Sequence, residues 1–348
     1  MTFADTRPLL EKIFSARGEI TGALGDAPFP LETARKLGAE IACSEKIIPE
    51  KSVFENVSAP LAAAGMPWEA ARERIGRELR FWFGKFGDEE HISALAAGTL
   101  PRELRARLPL ARAIAAKDPD APLVLTETLP EISPEIFAML KARAREDGFA
   151  VALERTRREE LSAADFLAFF PEENENASPA LCTLREAESA PESLFVSRSL
   201  RACRFGTDAA PLVLSGTTVG AGAGEFLADV AGTQIHGKLC GNAPDDDVPE
   251  GTPIDVFLPP EIFRLDAFPP EENFFALADG GEILSGGALF HRSFRRADGA
   301  GTLTVAALHR QSLEIPEGAS FFAWFFPEDA LGFPKKAVPI SRERQIEI

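Results

Sequence analysis

The feature that most constrains this chain is a change of periodicity near residue 170. Before it, helical patterns alternate with short apolar runs. After it, short strand-like runs follow one another with Gly, Asp and Pro between them. The first pattern predicts an α/β layer and the second a small all-β barrel. A single core rarely grows beyond roughly 250–300 residues, so a chain of 348 residues fits a division into two domains.

In the first part, Pro67 opens a helix over PWEAARERIGRELRFWF, with Ala70, Ala71, Ile75, Leu79 and Trp82 near helical spacing. A second helix is expected from about Glu103 to Ala116, with Pro109 inside it. Leu123 to Leu125 reads as a buried parallel strand. Ser133 is placed to cap a helix with Pro134 at its first position, and Asp147-Gly148 ends it. Phe149 to Leu153 is the next strand.

In the second part, Glu172 to Ser178 is polar and loop-like. From Pro211 onward the strands are expected within LVLSGTTV, EFLADVA, TQIHGKLC, PIDVFLP, GALFHRSF, GTLTVAAL and SFFAWFF. Two stretches end in similar phrases, Pro259-Pro260-Glu261-Ile262 and Phe326-Pro327-Glu328-Asp329. That repetition suggests paired OB-like halves. Phe321 to Phe326 is apolar on both faces, as a central barrel strand or a buried dimer contact would be.

A net charge of −17 disfavours nucleic acid and anionic lipid as partners. No apolar stretch approaches the roughly 18 residues of a membrane helix, and the start MTFADTRPLLEKIF lacks a signal-peptide pattern. The expected location is therefore cytoplasmic. Cys43, Cys182, Cys203 and Cys240 are scattered without a CxxC pair, and no two of the four histidines are spaced at i, i+3 or i+4. No metal site is expected.

Three further segments carry a family resemblance. Val53-Phe54-Glu55-Asn56-Val57, then LPRELRARLPLARAIA from Leu100 to Ala115, then Leu123 to Glu127 resemble, in order, the FENV segment, the LSGGQ signature helix and the LLLDE strand of ABC-transporter ATPase subunits. Ala190 to Val196 resembles the linker of the subfamily that serves polyamine, iron and sugar importers. VFLPPEIFRL and FFPEDALGFP resemble closing phrases of its C-terminal TOBE domain. The resemblance implies a truncated P-loop NTPase-like ABC domain over 1–180, with a helical subdomain at about 58–104. It implies a linker over 181–209 and an OB-like TOBE domain over 210–340, in halves at about 210–266 and 272–334.

The residues that such a family uses on ATP are replaced. Asp5-Thr6-Arg7-Pro8-Leu9-Leu10 resembles the GKTTLL position without its glycines or lysine, and no strand is expected before it. The magnesium-ordering aspartate is Thr126. The glutamate after it survives as Glu127, a vestigial catalytic position or a solvated strand-end carboxylate. The Q-loop glutamine falls at Ala42 or Cys43, and the chain has no glutamine before Gln234. The switch histidine falls at Arg155. The signature reads Leu100-Pro101-Arg102-Glu103-Leu104. Arg102 and Arg155 are replacement phosphate contacts or ion-pair residues. Phe81-Trp82-Phe83 is a permease-docking face or core packing.

Three functional readings follow. The first is a non-catalytic ABC-ATPase-like subunit or regulator of a solute importer, with no cofactor. Its expected partners are an ABC permease and a complete ATPase subunit, or a second copy, and it is held at the inner face of the membrane by protein contacts alone. The second is a working ATPase with altered motifs, which alone needs ATP and Mg²⁺. The third is a soluble ligand-binding or sensory protein built on the TOBE-like domain.

Overall fold

A computed structural model describes residues 3–25, 27–87, 89–129, 132–172, 178–206, 210–241, 248–268, 270–286, 289–315 and 320–335. It divides into two compact units, Met1–Arg185 and Glu186–Ile348. Among the described residues no helix is long and apolar enough to cross a membrane.

The first unit runs α1 (Phe3–Ser15), β1 (Ile20–Leu24), α2 (Leu31–Lys36), β2 (Glu40–Ala42), α3 (Val53–Ala63), α4 (Trp68–Phe83) and α5 (Glu89–Ala94). It continues through α6 (Arg102–Arg105), α7 (Arg107–Ala116), β3 (Leu123–Leu125), α8 (Pro134–Asp147), β4 (Val151–Leu153), β5 (Phe166–Phe169) and β6 (Ala180–Cys182). The sheet order is β2-β3-β4-β1-β5-β6, parallel throughout except for the pairing of β5 with β6.

Alternation along the strands builds two cores. Ile20, Ala42, Leu123, Leu125, Val151 and Leu153 face one cluster, shared with α3, α4, α7 and α8. Ala23, Ile41, Val124, Ala152 and Ala168 face the other, which Leu9, Leu10 and Ile13 of α1 and Ala34 of α2 complete. A sheet buried on both faces needs such continuous apolar strands.

The expected helix over Glu103 to Ala116 is broken into α6 and α7, one turn before Pro109. Proline has no N–H for the carbonyl four residues earlier, here Arg105, and its ring crowds that carbonyl. In the Phe81-Trp82-Phe83 cluster, Trp82 and Phe83 are fully buried, while Phe81 is half-buried and meets Trp82 edge-on at 5.1 Å. Below them Glu78, fully buried, accepts from the Arg143 guanidinium at 2.7 Å and from Trp82 Nε1 at 3.3 Å, tying α4 to α8.

Residues 181–209, expected as a linker, carry α9 (Leu184–Ser189) and α10 (Leu194–Phe205). Ser193 caps α10, its hydroxyl accepting from the Val196 N–H. Phe195, Val196 and Leu200 are buried, so α10 is packed; residues 207–209 of the expected linker lie outside the described residues.

The second unit continues with β7 (Leu212–Gly222), β8 (Glu225–Val230), β9 (Thr233–Leu239), β10 (Pro253–Leu258), β11 (Arg264–Asp266) and β12 (Phe274–Gly280). It ends with β13 (Leu284–Gly286), β14 (Leu289–Arg296), β15 (Thr302–Ala307), β16 (Phe321–Trp324) and β17 (Leu331–Pro334). A closed barrel takes the order β10-β17-β9-β8-β7, with β17 parallel to β9. A second sheet takes the order β11-β16-β12-β14-β13, with β15 also on β14. The two halves expected in sequence are therefore interleaved. The barrel is closed by the last strand, β17, and β11 from the first half joins β16 of the second. Likewise Phe321 to Trp324 is not a barrel strand; β16 lies inside the second sheet.

Candidate functional site

In an open parallel sheet, ligands bind outside the carboxyl ends of the strands. Here that edge brings together the ends of β1, β3 and β4 with the segments that follow them.

The end of β1 holds the main departure from the sequence expectation. Asp5 to Leu10 lie within α1, and a strand does precede a loop and a helix, at β1 and α2. β1 sits in the middle of the sheet, between β4 and β5. The loop begins at Gly25, whose φ of +123° favours glycine. A phosphate-binding loop has the form G-x-x-x-x-G-K-[ST] between strand and helix. In this register Gly25 keeps the first position, while Pro30, Leu31 and Glu32 take the place of Gly, Lys and Ser/Thr.

Two described amides of the loop are spent within the protein. The Ala27 N–H donates to the Phe170 carbonyl at 3.3 Å, and the Leu31 N–H to the Phe29 carbonyl at 2.8 Å. Pro28 and Pro30 have no N–H to offer. Phe29 is buried and meets the Phe170 ring edge-on at 5.5 Å. An anion cradle needs several amides turned outward, and this loop is closed over an aromatic pair instead. The signal in the sequence was the run Ile20 to Gly25 with an acceptable helix start six residues later.

At the end of β3, Thr126 is nearly buried. Its hydroxyl donates to the Ala42 carbonyl at 3.3 Å and lies 2.8 Å from the Thr128 hydroxyl. A neutral group engaged in this way has no charge with which to order a divalent cation. Next to it the Glu127 N–H donates to the Glu154 carboxylate at 2.9 Å. The Glu127 carboxylate lies 3.6 Å from the Arg155 guanidinium. The structure thus brings Glu127 and Arg155 together, on neighbouring strand ends. Both are more than half exposed, so the pair contributes at most about 1 kcal/mol. Arg157 bonds the carbonyls of Glu127 and Leu129 at 3.3 and 3.0 Å, and its own N–H is held by Glu160 at 2.8 Å. An open pocket of about 240 Å³, including its solvent-filled mouth, lies among Thr126, Glu127, Arg155 and Arg157 over an apolar floor that includes Leu129. Gly22 lets this corner close, because a Cβ there would stand 2.3 Å from the Thr156 hydroxyl.

The signature-like segment lies apart. Leu100 and Leu104 are buried, while Pro101, Arg102 and Glu103 are exposed. Arg105 donates to the carbonyls of Leu100 and Gly98 at 2.7 and 2.9 Å. Pro101 offers no amide, and Glu103 places negative charge in the first turn of α6.

The segments 52–57 and 108–115 have structural work. Ser52 and Glu55 form a reciprocal capping box at the start of α3. Asn56, buried, donates to the carbonyls of Ile48, Lys51 and Ser52 and accepts from the Ile48 N–H. Val53 and Val57 are in the core. Most of α7, from Leu108 to Ala115, is buried. Among the described residues no group of three or more His, Cys, Asp or Glu is placed to hold a metal ion.

No family model and no curated protein matches the chain. Several solved structures overlap it. A dimeric bacterial ABC transporter cassette does so at 16% identity and a TM-score of 0.34, over 44% of this chain and 82% of that one. A metal-chelate-type ABC transporter in an inward-facing conformation does so at 13% and 0.42, over 63% and 85%. A part of an ABC transporter complex from Clostridium perfringens does so at 16% and 0.36, over 44% and 73%. At these scores the overlaps carry no weight beyond what the chain's own strands and loops establish.

Proposed function

We propose that the chain is a non-catalytic ABC-ATPase-like subunit or regulator of a solute import system. The observation that carries this reading is the Gly25–Leu31 loop, which stands where a phosphate cradle belongs and is filled by Phe29 between two prolines. Thr126 in place of the cation-ordering carboxylate and Arg155 paired with Glu127 support it. Phosphoryl transfer rests on positioned phosphate and metal contacts, and a lone exposed glutamate does not supply them. This disfavours the working-ATPase reading, and no ATP or Mg²⁺ is required.

The second unit supports the subfamily likeness. Numbering its barrel strands one to five, the order is 1-2-3-5-4 with strands three and five parallel, as in a five-stranded Greek-key OB barrel. A TOBE-type domain of this kind suits an importer subunit held at the inner face of the membrane by its partners. Because the loop after β1 and the segment at Leu100 to Leu104 are both altered, the chain fits a scaffold or assembly regulator better than one half of an alternating ATP sandwich.

The test is native co-purification of the tagged full chain from solubilised membranes, with partners identified by mass spectrometry. Recovery of a permease, with or without a complete ATPase subunit, is the expected result. Recovery of the chain alone from the soluble fraction contradicts it.

A further inference from the structure

The central strand β1 is tied at its head on both sides. The Val151 N–H of β4 donates to the Glu19 carbonyl at 3.1 Å. On the other side the Asp165 N–H, just before β5, donates to the Ile20 carbonyl at 2.8 Å. The Ile20 N–H donates back to Asp165 Oδ2 at 2.9 Å. The other carboxylate oxygen, Oδ1, accepts from Lys141 Nζ of α8.

A second carboxyl stands in this corner. Glu19 is half-buried and hydrogen-bonds the Asp165 carboxylate. An ionised carboxylate only accepts, so two carboxyl groups hydrogen-bond each other only while one of them keeps its proton. Asp165 already spends both oxygens on donors, one of them cationic, and these favour its ionised form. The proton therefore belongs to Glu19, which donates to Asp165.

The surrounding charges agree with that assignment. The hydrogen bond to Asp165 raises the Glu19 carboxyl above its usual range. Burial and the Asp165 charge add to this, and Arg145 and Lys141 of α8 act against it without cancelling it. For Asp165, burial pushes upward, but the Lys141 ammonium, the Ile20 N–H and Glu19 together hold it below its usual range. Glu19 thus stabilises the fold below its ordinary value of 4.5, and that contribution is lost as pH rises through its folded value. Asp165 stabilises the fold above its ordinary value of 3.8, and that contribution is lost as pH falls. The two overlap in mild acid. At higher pH, two negative charges face each other at the head of β1.

We infer that one proton held between Glu19 and Asp165 latches the head of β1 to β5 and α8, and that this latch loosens as pH rises from mild acid to neutrality. It does not depend on the reading of the chain as an ABC-ATPase-like subunit.

The test is urea unfolding of the full chain at about pH 4.5 and about pH 7, wild type against Glu19→Gln, whose amide keeps a donor at both. From the lower to the higher pH, the unfolding constant of the wild type relative to the variant is expected to rise at least about twofold. Hydrogen exchange over residues 16–24, set against the same variant, is expected to quicken over that interval. In an Asp165→Asn background the comparison is expected to be flat, because the charge that holds the proton is gone. A ratio equal at both pH values, or one that shifts as much without the Asp165 carboxylate, overturns the inference. Should Asp165→Asn fail to fold, the Glu19→Gln comparison alone decides.

Discussion

Asn56 spends all of its amide on backbone partners, donating to three carbonyls and accepting from the Ile48 N–H. Replacing it by alanine orphans buried groups, so Asn56→Ala is expected to cost at least about 2 kcal/mol in urea unfolding of the first unit. Glu78→Ala takes one carboxylate from the buried Arg143, which keeps Asp147 and Glu146, and removes the acceptor of Trp82 Nε1, and is expected to cost about 1–3 kcal/mol. By contrast, Glu127→Gln and Arg155→Ala remove an exposed pair, and each should shift stability by no more than about 0.5 kcal/mol. Lys117 gives a pH signature. It is buried over the Phe149 ring, and burial pushes its ammonium down to about 8. A lysine whose folded pKa lies below its unfolded one disfavours the fold while it is protonated. The cost is full below about pH 8 and fades as pH rises toward ~10.4, with an upper limit of about 3 kcal/mol. Stability of the wild type relative to Lys117→Met should therefore rise across that window, and a flat difference in chemical unfolding would contradict it.

At the scale of elements, the readable parts were those where local chemistry and tertiary need agree. Pro67, Ser133-Pro134 and Gly148 bound α4 and α8 where the sequence placed them. The break between α6 and α7 was also encoded, by Pro109, although its position one turn upstream follows from the lost carbonyl partner. β1 was missed because its run is short and its Thr21 and Gly22 break the apolar pattern. Its central place in the sheet, between β4 and β5, is what sets the loop after it at the carboxyl edge. α2 has six residues, and α1 covers the same face with Leu9, Leu10 and Ile13. Phe29 completes that cluster. Phe29→Ala is expected to lower the stability of the first unit by about 3–5 kcal/mol in denaturant titration, as a core residue would and a ligand-facing loop residue would not.

Across the whole molecule, pairings between distant segments were the least legible feature. Strands β7 to β10 and the FFPEDALGFP phrase were each visible in the sequence. That β17 returns to lie parallel to β9 and close the barrel was not, because register between segments this far apart leaves no local trace. Ending the chain before Leu331 should leave β9 and β10 with open edges. The second unit is then expected to lose its cooperative melting transition while the first retains its own. Thr126, Glu127 and Arg155 stood out in the sequence and share one corner of the structure, whereas Leu100 to Leu104 lie apart from it. The closed loop after β1 was not legible, since it depends on which strand stands before Gly25.

On the proposed reading, the closed loop between Gly25 and Leu31 leaves no seat for a nucleotide. Calorimetric titration of the full chain with ATP and Mg²⁺ tests it most directly. No saturable heat up to about 1 mM nucleotide is predicted; a one-to-one isotherm with a Kd of about 10 µM or tighter would contradict it and return the chain to the working ATPases.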